Sequence, residues 1–228
     1  MDERFSRSAR IVGEEKIEKL NNCSVIVFGL GGVGGTAAES LVRAGIGTLG
    51  IVDKDVVDIT NLNRQIIATE NTLGISKTQA AEKRLLSINP QLKIRRYDLF
   101  YLPETADEID LSEYDFIVDC IDNVTAKIEL ITRANSLGVP VVSSMGTGNK
   151  LHPEMLEIAD ISKTSVCPLA RVMRRELKNR GIGKLPVVYS KEEPVKTESS
   201  VPGSMSFVPP VAGYLITSYV IRTILDIK

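Results

Sequence analysis

A glycine-rich turn and an acidic residue that follows it have the types and spacing of a nucleotide-binding site. The motif GLGGVGG (residues 29–35) follows the apolar run CSVIVF (23–28), and Gly29, Gly31 and Gly34 fit the pattern G-x-G-x-x-G. Such glycines let the backbone approach phosphate groups, and the next helix N-terminus attracts their negative charge. Asp53 lies 24 residues beyond Gly29, where a carboxylate can bind ribose hydroxyls. The motif favours a nucleotide-binding turn and not one that serves helix packing alone. It does not distinguish NAD from ATP.

Polar and cationic residues after Asp53 separate those two nucleotides. The stretch DKDVVDITNLNRQ (53–65) is followed by Lys77 in GISKTQAA. Each residue alone has the simpler interpretation of a solvated surface group, but a dehydrogenase has no use for the whole set. Arg and Lys side chains can neutralise a triphosphate and the charge that develops when its α-phosphorus is attacked. The combination of Asn61, Asn63, Arg64, Gln65 and Lys77 therefore favours an adenylating enzyme.

A second acidic segment, DCIDN (119–123), follows the apolar run of a predicted strand. Ligands of open α/β sheets bind beyond the carboxyl ends of the strands, so this segment should face the same crevice as the glycine turn. Asp122 is placed to hold a Mg²⁺ ion that bridges phosphate oxygens. The alternative is that Asp122 and Asn123 cap the helix that follows.

The elements that position these residues form an α/β pattern. Short β-branched runs alternate with helical stretches between residues 24 and 144, which predicts a doubly wound, mostly parallel sheet with crossover helices. Predicted strands are 24–29, 49–53, 93–97, 115–120, 140–144 and 154–160, and predicted helices are 33–44, 76–88, 103–109, 124–137, 165–179 and 210–225. Residues 181–204 mix Gly, Pro, Ser, Glu and Lys without periodicity and are predicted to be a long mobile loop.

Length and composition bound the class of protein. The chain has 228 residues and a formal net charge of -1, which excludes a disordered tail and a uniformly basic nucleic-acid wrapper. Its three cysteines form no C-x-x-C pair, so neither a disulfide framework nor a structural zinc site is predicted. The charged N-terminus does not have the apolar segment of a secretory signal. Prolines interrupt the apolar stretch 207–225, so we expect a core helix there and not a membrane span. A cytoplasmic protein fits best.

Several stretches in this order resemble the ThiF/MoeB/HesA superfamily of adenylating enzymes, which are related to ubiquitin-activating enzymes. The resemblance covers nearly the whole chain. It rests on RFSRSARIVG, GLGGVGG, IVDKDVVDITNLNRQ, GISK, INP, DCIDN and FVPPVAG. It implies one Rossmann-like domain over 1–228, with an N-terminal helical arm (1–22), a nucleotide-binding half (23–145) and a C-terminal half with an antiparallel extension (146–228).

The resemblance also implies a reaction and a set of residues. In this family a substrate carboxylate attacks the α-phosphate of Mg-ATP, giving an acyl-adenylate and pyrophosphate. The family implies that Arg64, Lys77 and Asp122 act on the phosphates and the magnesium ion, while Arg7 reaches the ATP of the partner subunit in a homodimer. The ATP-binding residues expected on this basis are Gly31, Gly32, Gly34, Asp53, Asp55, Asn61, Asn63, Arg64, Gln65, Lys77, Asp122 and Asn123.

The opening RFSRSARIVG, the stretch 145–178 and the ending GSMSFVPPVAGYLITSYVI are most similar, within the superfamily, to the tRNA threonylcarbamoyladenosine dehydratase branch. That branch activates the threonyl carboxylate of a modified adenosine next to the anticodon, after which a ring closes with loss of water. The alternative is adenylation of the C-terminus of a ubiquitin-like sulfur carrier, and a non-enzymatic NAD-binding module is a further rival. The sequence does not decide whether a cysteine desulfurase binds this protein as a sulfur-relay partner. Cys167 precedes Pro168 and is interpreted as a packed residue at a helix start, not as an acyl-receiving thiol.

A basic stripe is the candidate surface for the tRNA substrate. Arg171, Arg174, Arg175 and Lys178 have the spacing i, i+3, i+4 and i+7, so a helix places them on one face. A solvated helix face is the ordinary interpretation of such a stripe. Given the family resemblance, the four side chains are predicted to contact tRNA phosphates, which position a nucleic acid without reading its sequence.

Overall fold

The computed structural model describes residues 2–199 and 201–227 and is built around a seven-stranded sheet. In chain order the strands are β1 (Ser24–Phe28), β2 (Thr48–Val52), β3 (Lys93–Tyr97), β4 (Phe116–Asp119), β5 (Val141–Ser144), β6 (Leu156–Asp160) and β7 (Pro186–Ser190). Their order across the sheet is β3-β2-β1-β4-β5-β7-β6, and every pair is parallel except β6 with β7. The predicted α/β class with an antiparallel C-terminal extension is confirmed.

The strand order places a crevice at the centre of the sheet. The chain moves outward from β1 to β3 and then crosses back to β4, which lies on the other side of β1. Adjacent loops therefore leave the carboxyl ends of β1 and β4 in opposite directions, and ligands of doubly wound sheets bind at such a point. The four residues Val25, Ile26, Val27 and Phe28 of β1 are fully buried, as expected for a strand covered on both faces.

Seven α-helices surround the sheet in the described part of the chain. They are α1 (Ser6–Val12), α2 (Glu14–Asn21), α3 (Gly34–Ala44), α4 (Lys77–Ile88), α5 (Val124–Leu137), α6 (Pro168–Lys178) and α7 (Val208–Ile224). Buried side chains of α3 and α7, including Leu41, Ala212 and Ile216, join the core on one face of the sheet. Buried residues of α5 and α6 form a second apolar cluster, which contains Ile131 and Met173. None of the helices among the described residues has the length and apolar character needed to cross a bilayer.

Two predicted elements are wrong. Residues 103–109 do not form an α-helix; 3₁₀ turns at Ala106–Glu108 and Leu111–Glu113 replace it. The Thr105 hydroxyl accepts a hydrogen bond from the Leu102 amide (3.0 Å) and donates to the Phe100 carbonyl (2.6 Å). Side-chain bonds of this kind offer the backbone an alternative to the α-helix.

The predicted loop 181–204 contains strand β7, which lies between β5 and β6. The strand sequence PVVYS is rich in β-branched and aromatic residues, and its proline is the first residue, where strands tolerate a missing N–H. The glycines and charged residues on both sides of this short run make the whole segment resemble a loop in the sequence. Ser200, Met1 and Lys228, which belong to the predicted loop and to the predicted domain limits, lie outside the described residues.

The close packing of α7 on α3 requires a glycine at position 213. A Cβ atom added to Gly213 would lie 2.5 Å from the carbonyl oxygen of Val33 and 3.0 Å from the Cβ of Thr36. We expect Gly213→Ala to lower the free energy of unfolding by about 1–3 kcal/mol, because the helices must move apart. Urea unfolding followed by far-UV circular dichroism measures this change. Gly183→Ala is the control, since a Cβ atom there meets nothing within 4 Å, and equal stability of the two variants would contradict the expectation.

Candidate active site

A cavity of about 460 Å³ opens at the carboxyl ends of the central strands. This volume lies in the range of small-ligand sites in proteins, which is roughly 300–1,000 Å³. Its walls include nine of the residues predicted to bind ATP: Gly31, Gly32, Asp53, Asp55, Asn61, Arg64, Gln65, Lys77 and Asp122. The structure therefore brings together residues that are spread over 92 positions of the sequence, from 31 to 122.

The glycine turn divides into residues that shape it and residues that face the cavity. A Cβ atom on Gly34 would lie 1.8 Å from the carbonyl oxygen of Gly29, so Gly34 permits the turn to close and does not line the cavity. Gly29 has a φ of +84° and packs against the Cys120 carbonyl. A Cβ atom added to Gly31 would meet only the Gln65 side chain, at 4.0 Å, so there is room for a ligand at the Gly31 backbone. The turn leads directly into α3, whose N-terminus favours a phosphate.

Asp53 connects the end of β2 to the glycine turn. Its carboxylate accepts hydrogen bonds from the backbone amides of Leu30 (2.7 Å) and Asp55 (2.9 Å). Burial raises the pKa of this carboxyl above its ordinary value, while the Lys77 ammonium and the two amide bonds lower it. Asp53 lines the cavity, and its hydrogen bonds hold the turn where a nucleotide would bind.

Lys77 presents a buried cation to the same wall. It is the first residue of α4, which is capped by the Ser76 hydroxyl, and only 6% of its surface is exposed. The ammonium nitrogen lies 2.8 Å from the Asp55 carboxylate and 3.8 Å from that of Asp53. A cation held between two carboxylates at a cavity wall can exchange one of them for a phosphate oxygen.

The segment 61–65 contributes Asn61, Arg64 and Gln65 to the cavity wall, while Asn63 binds the C-terminal segment. The guanidinium of Arg64 donates to the Thr60 carbonyl (3.0 Å) and to the Asn63 side chain (2.8 Å). Asn63 does not line the cavity; its amide donates to the Ser204 carbonyl (2.9 Å) and so fixes the C-terminal segment beside the site. The buried Oε1 of Gln65 has no hydrogen-bond partner among the described residues, so it is an acceptor that a ligand can satisfy.

The segment DCIDN contains a helix cap, Asn123, and a residue of the cavity wall, Asp122. Asn123 caps α5 by accepting a hydrogen bond from the Ala126 amide (3.0 Å), and it does not line the cavity. Asp122 is exposed at the cavity wall with its carboxylate free of the cap. The Cys120 thiol also lines the wall, but burial and the nearby Asp119 raise its pKa, so it stays protonated and is a poor nucleophile.

Part of the wall was not predicted from the sequence. It includes Lys54, Leu99, Phe100, Tyr101, Thr147, Gly148, Val201, Pro202, Gly203, Ser204 and Pro209. Residues 99–101 and 147–148 follow β3 and β5, so the rule that sites form beyond strand ends could have identified them. The Lys54 ammonium lies 3.9 Å from the Phe100 ring centroid, which is a cation–π contact in the wall. No local motif marks residues 201–204, which reach the site from a distant part of the chain.

Other predicted residues lie outside the cavity. Arg7 is exposed on α1. On α6, Arg171 and Lys178 are exposed, but Arg174 is half-buried and donates to the carbonyl and hydroxyl of Thr164 at 2.8 and 2.7 Å. The structure therefore turns one arginine of the predicted stripe inward. Arg175 is exposed and pairs with Glu176 at 3.0 Å.

Cys167 is a packed residue at the start of α6. It occupies the N-cap position and is 3% exposed in the apolar cluster between α5 and α6. In the described ranges, no group of three or more His, Cys, Asp or Glu side chains could hold a metal ion. The structure thus offers neither an accessible acyl-receiving thiol at Cys167 nor a zinc cluster in those ranges.

Comparisons with known proteins agree with this geometry. The model of the ThiF family matches residues 5–228. The chain is 38% identical to the tRNA threonylcarbamoyladenosine dehydratase of Bacillus subtilis (strain 168), over 97% of this chain and 94% of that protein. The crystal structure of the Escherichia coli tRNA N6-threonylcarbamoyladenosine dehydratase in complex with AMP superposes with a TM-score of 0.92. It has 31% sequence identity and covers 98% of this chain and 94% of that chain. The ATP complex of the same E. coli protein gives a TM-score of 0.90 at 30% identity, with the same coverage.

The Lys77 cation should control the ionisation of Asp53. Because Lys77 lowers the pKa of the Asp53 carboxyl, Lys77→Met should raise that pKa further. A carboxyl with a raised pKa in the folded state destabilises the folded protein as pH rises through that pKa. The variant should therefore be less stable than the natural protein above about pH 4. We expect a loss of about 1–3 kcal/mol at pH 7. Carbon-13 NMR titration of the aspartate carboxyls and unfolding at pH 4 and pH 7 measure both effects.

The matched control is Lys54→Met, which removes an exposed cation from the same cavity wall. It should leave the Asp53 titration unchanged. An unchanged Asp53 titration in Lys77→Met would show that the cation and the carboxyl do not interact.

Proposed function

Because the chain belongs to the ThiF family, we propose that it is an ATP-dependent tRNA threonylcarbamoyladenosine dehydratase. The observation that supports this most is the cavity at the carboxyl ends of the central strands β1 and β4. There a glycine turn, Asp53 and the cations Arg64 and Lys77 meet. Its residues lie in a chain that matches a dehydratase over nearly the full length of both proteins. The site is therefore best explained as one that activates a carboxylate with ATP.

The reaction proceeds in two steps. First, the threonyl carboxylate of the modified adenosine attacks the α-phosphorus of ATP, the bond to the β-phosphate breaks, and pyrophosphate leaves. Second, a heteroatom of the tethered carbamoyl group attacks the activated carbonyl carbon, a proton is lost, and AMP leaves with the former carboxyl oxygen. The sum is a ring and the loss of one water from the nucleoside. No enzyme thiol is required, since the attacking group is already tethered to the activated carboxyl.

The residues of the cavity fit these steps. Asp53, Gly31 and Gly32 line the cavity. In this proposal the Asp53 carboxylate accepts the ribose hydroxyls, and the backbone of the two glycines lies against the phosphates. Arg64 and Lys77 offset the negative charge that develops at the α-phosphate. The buried acceptor of Gln65 gains a donor from the ligand.

Asp122 is the carboxylate of the wall that would hold Mg²⁺. It is exposed, and the described residues contain no cluster of metal ligands around it, so phosphate oxygens and water would complete the coordination. When bound, the ion would neutralise phosphate charge and orient the pyrophosphate for departure. The role of Asp122 itself is to fix this charge on the side of the cavity next to β4.

We further propose that the protein acts as a homodimer in the cytoplasm. Arg7 lies on an exposed face of α1 and outside the cavity of its own chain, together with Ile11, which is 87% exposed. An exposed arginine next to an exposed large apolar residue suits contact with a second copy, whose ATP Arg7 would reach. A cysteine desulfurase partner for sulfur relay stays a prediction from the family resemblance.

The alternative function, adenylation of a ubiquitin-like sulfur carrier, uses the same first step. It differs in the acceptor, which would be the C-terminal carboxylate of a protein ending in Gly-Gly. Pyrophosphate exchange separates the two functions, because only the true acceptor stimulates it. Modified tRNA should stimulate exchange, and the carrier protein should not.

Dehydration of the nucleoside is the direct test of the proposed function. Modified tRNA incubated with the protein, ATP and Mg²⁺ should yield a threonylcarbamoyl nucleoside lighter by one water, measured by mass spectrometry after digestion. Asp122→Asn should reduce the rate by about 10²–10³-fold, since the lost interaction acts on developing charge. Asp107→Asn is the control, since it makes the same change at an exposed carboxylate outside the cavity, and it should retain activity. No mass change with the natural protein would overturn the proposal.

The exposed cations of α6 should bind tRNA through its phosphates. We expect the triple variant Arg171→Glu, Arg175→Glu and Lys178→Glu to weaken tRNA binding and to flatten its dependence on salt, while ATP binding is unchanged. Arg174→Met is the control, because Arg174 is tied to Thr164 and should affect stability more than tRNA affinity. Filter binding between about 50 and 200 mM salt measures both slopes. Equal slopes for the triple variant and the natural protein would show that α6 is only a solvated face.

A further inference from the structure

A fully buried ion pair lies at the end of β4, immediately before the segment 120–122 that lines the cavity. The side chains of Lys127 and Asp119 are both 0% exposed, and their charged atoms are 2.9 Å apart. The ammonium of Lys127 also donates to the Ser143 hydroxyl (3.1 Å) and to the Ser144 carbonyl (2.8 Å). All three donor sites of this ammonium are therefore used inside the protein.

The position of this pair in the sheet gives it a specific task. Asp119 and Ser143 are register partners in the last described pair between β4 and β5. Beyond them the ladder stops, and the chain enters two segments that line the cavity, 120–122 and 147–148. Lys127 belongs to α5, and its ammonium binds the final residues of both strands. It therefore connects β4 to β5 at the point where the described pairing of the two strands ends.

The pair also orders the segment that contains Asp122. The Asp119 carboxylate accepts the backbone amide of Ile121 (3.1 Å) through one oxygen, and the Lys127 ammonium and Ser143 hydroxyl through the other. The end of the same segment is fixed when Asn123 caps α5. Asp122 is thus held between an anchored amide and an anchored cap.

The order of strands indicates which part of the reaction this segment serves. The segments of the cavity wall follow β3, β2, β1, β4 and β5 in spatial order, with Asp53 after β2 and Asp122 after β4. If Asp53 holds the ribose, the substrate carboxylate that attacks the α-phosphorus enters the cavity from the side of β4 and β5. This placement rests on the proposed function.

We propose that Lys127 is a positioning residue, which acts through Asp119 and Ser144 to set the two segments that receive the substrate carboxylate next to the α-phosphate. Lys127 is not among the residues that line the cavity. Loss of this group displaces the acceptor side of the site and leaves the nucleotide side in place. Misplacement of reacting groups by about 1 Å lowers rates by about 10²-fold, so the effect appears in turnover.

Lys127→Met tests the proposal with two measurements. The turnover number for nucleoside dehydration should fall by at least about tenfold, while the dissociation constant for ATP changes by less than about threefold. The amide of Ile121, observed by NMR, should exchange with deuterium at least about tenfold faster. Unchanged turnover, or an unchanged Ile121 exchange rate, would overturn the proposal.

Two further variants separate positioning from general stability. Glu39→Gln removes another buried charge, which accepts bonds from Arg43 and Arg84 away from the cavity, and it should leave both turnover and Ile121 exchange unchanged. A similar loss of turnover in Glu39→Gln would overturn the specific role of Lys127. If Lys127→Met fails to fold, Ser143→Ala decides, because it removes one partner of the pair and should raise Ile121 exchange and lower turnover. The exchange measurement needs no tRNA, so it stands even if the natural protein fails to dehydrate the nucleoside.

Discussion

The hydrogen bonds of one carboxylate hold the site together. Asp53 accepts the amide of Leu30 after β1 and the amide of Asp55 after β2, and it lies 3.8 Å from the ammonium of Lys77 at the start of α4. Three elements that are distant in the sequence are therefore fixed relative to one side chain. Burial raises the pKa of Asp53, and the nearby Lys77 cation and the two amides oppose that shift.

The same arrangement prepares the site for a triphosphate. Lys77 is paired with carboxylates and Arg64 with a carbonyl and an amide oxygen, so both cations are oriented before a ligand binds. Preorganised charge stabilises a transition state without reorganisation at the moment of reaction. On the opposite side of the cavity, the buried pair of Asp119 and Lys127 orders the segments after β4 and β5 in a comparable way. Each side of the cavity is thus anchored by one carboxylate and one lysine.

The sequence predicts those parts of the site that depend on local spacing. The glycine turn, Asp53 and the Asn123 cap follow strand ends directly, so short motifs locate them. Other parts depend on packing between distant segments. Arg174 has the spacing of an exposed stripe, yet it turns inward because Thr164 lies within reach. A lysine in a helix is expected to be solvated, so no pattern distinguishes Lys127 until the fold places Asp119 beside it. Strand β7 escapes prediction for a related reason, since its partners β5 and β6 give a short run its structure.

A crystal structure of the protein with ATP and Mg²⁺ tests the central claim most directly. The account predicts the phosphates along Gly31 and Gly32, with the Lys77 ammonium moved from Asp55 to within hydrogen-bonding distance of a phosphate oxygen and the ribose on Asp53. Arg64 should contact the phosphates as well. A nucleotide bound elsewhere, or Lys77 and Arg64 turned away from its phosphates, would contradict the account.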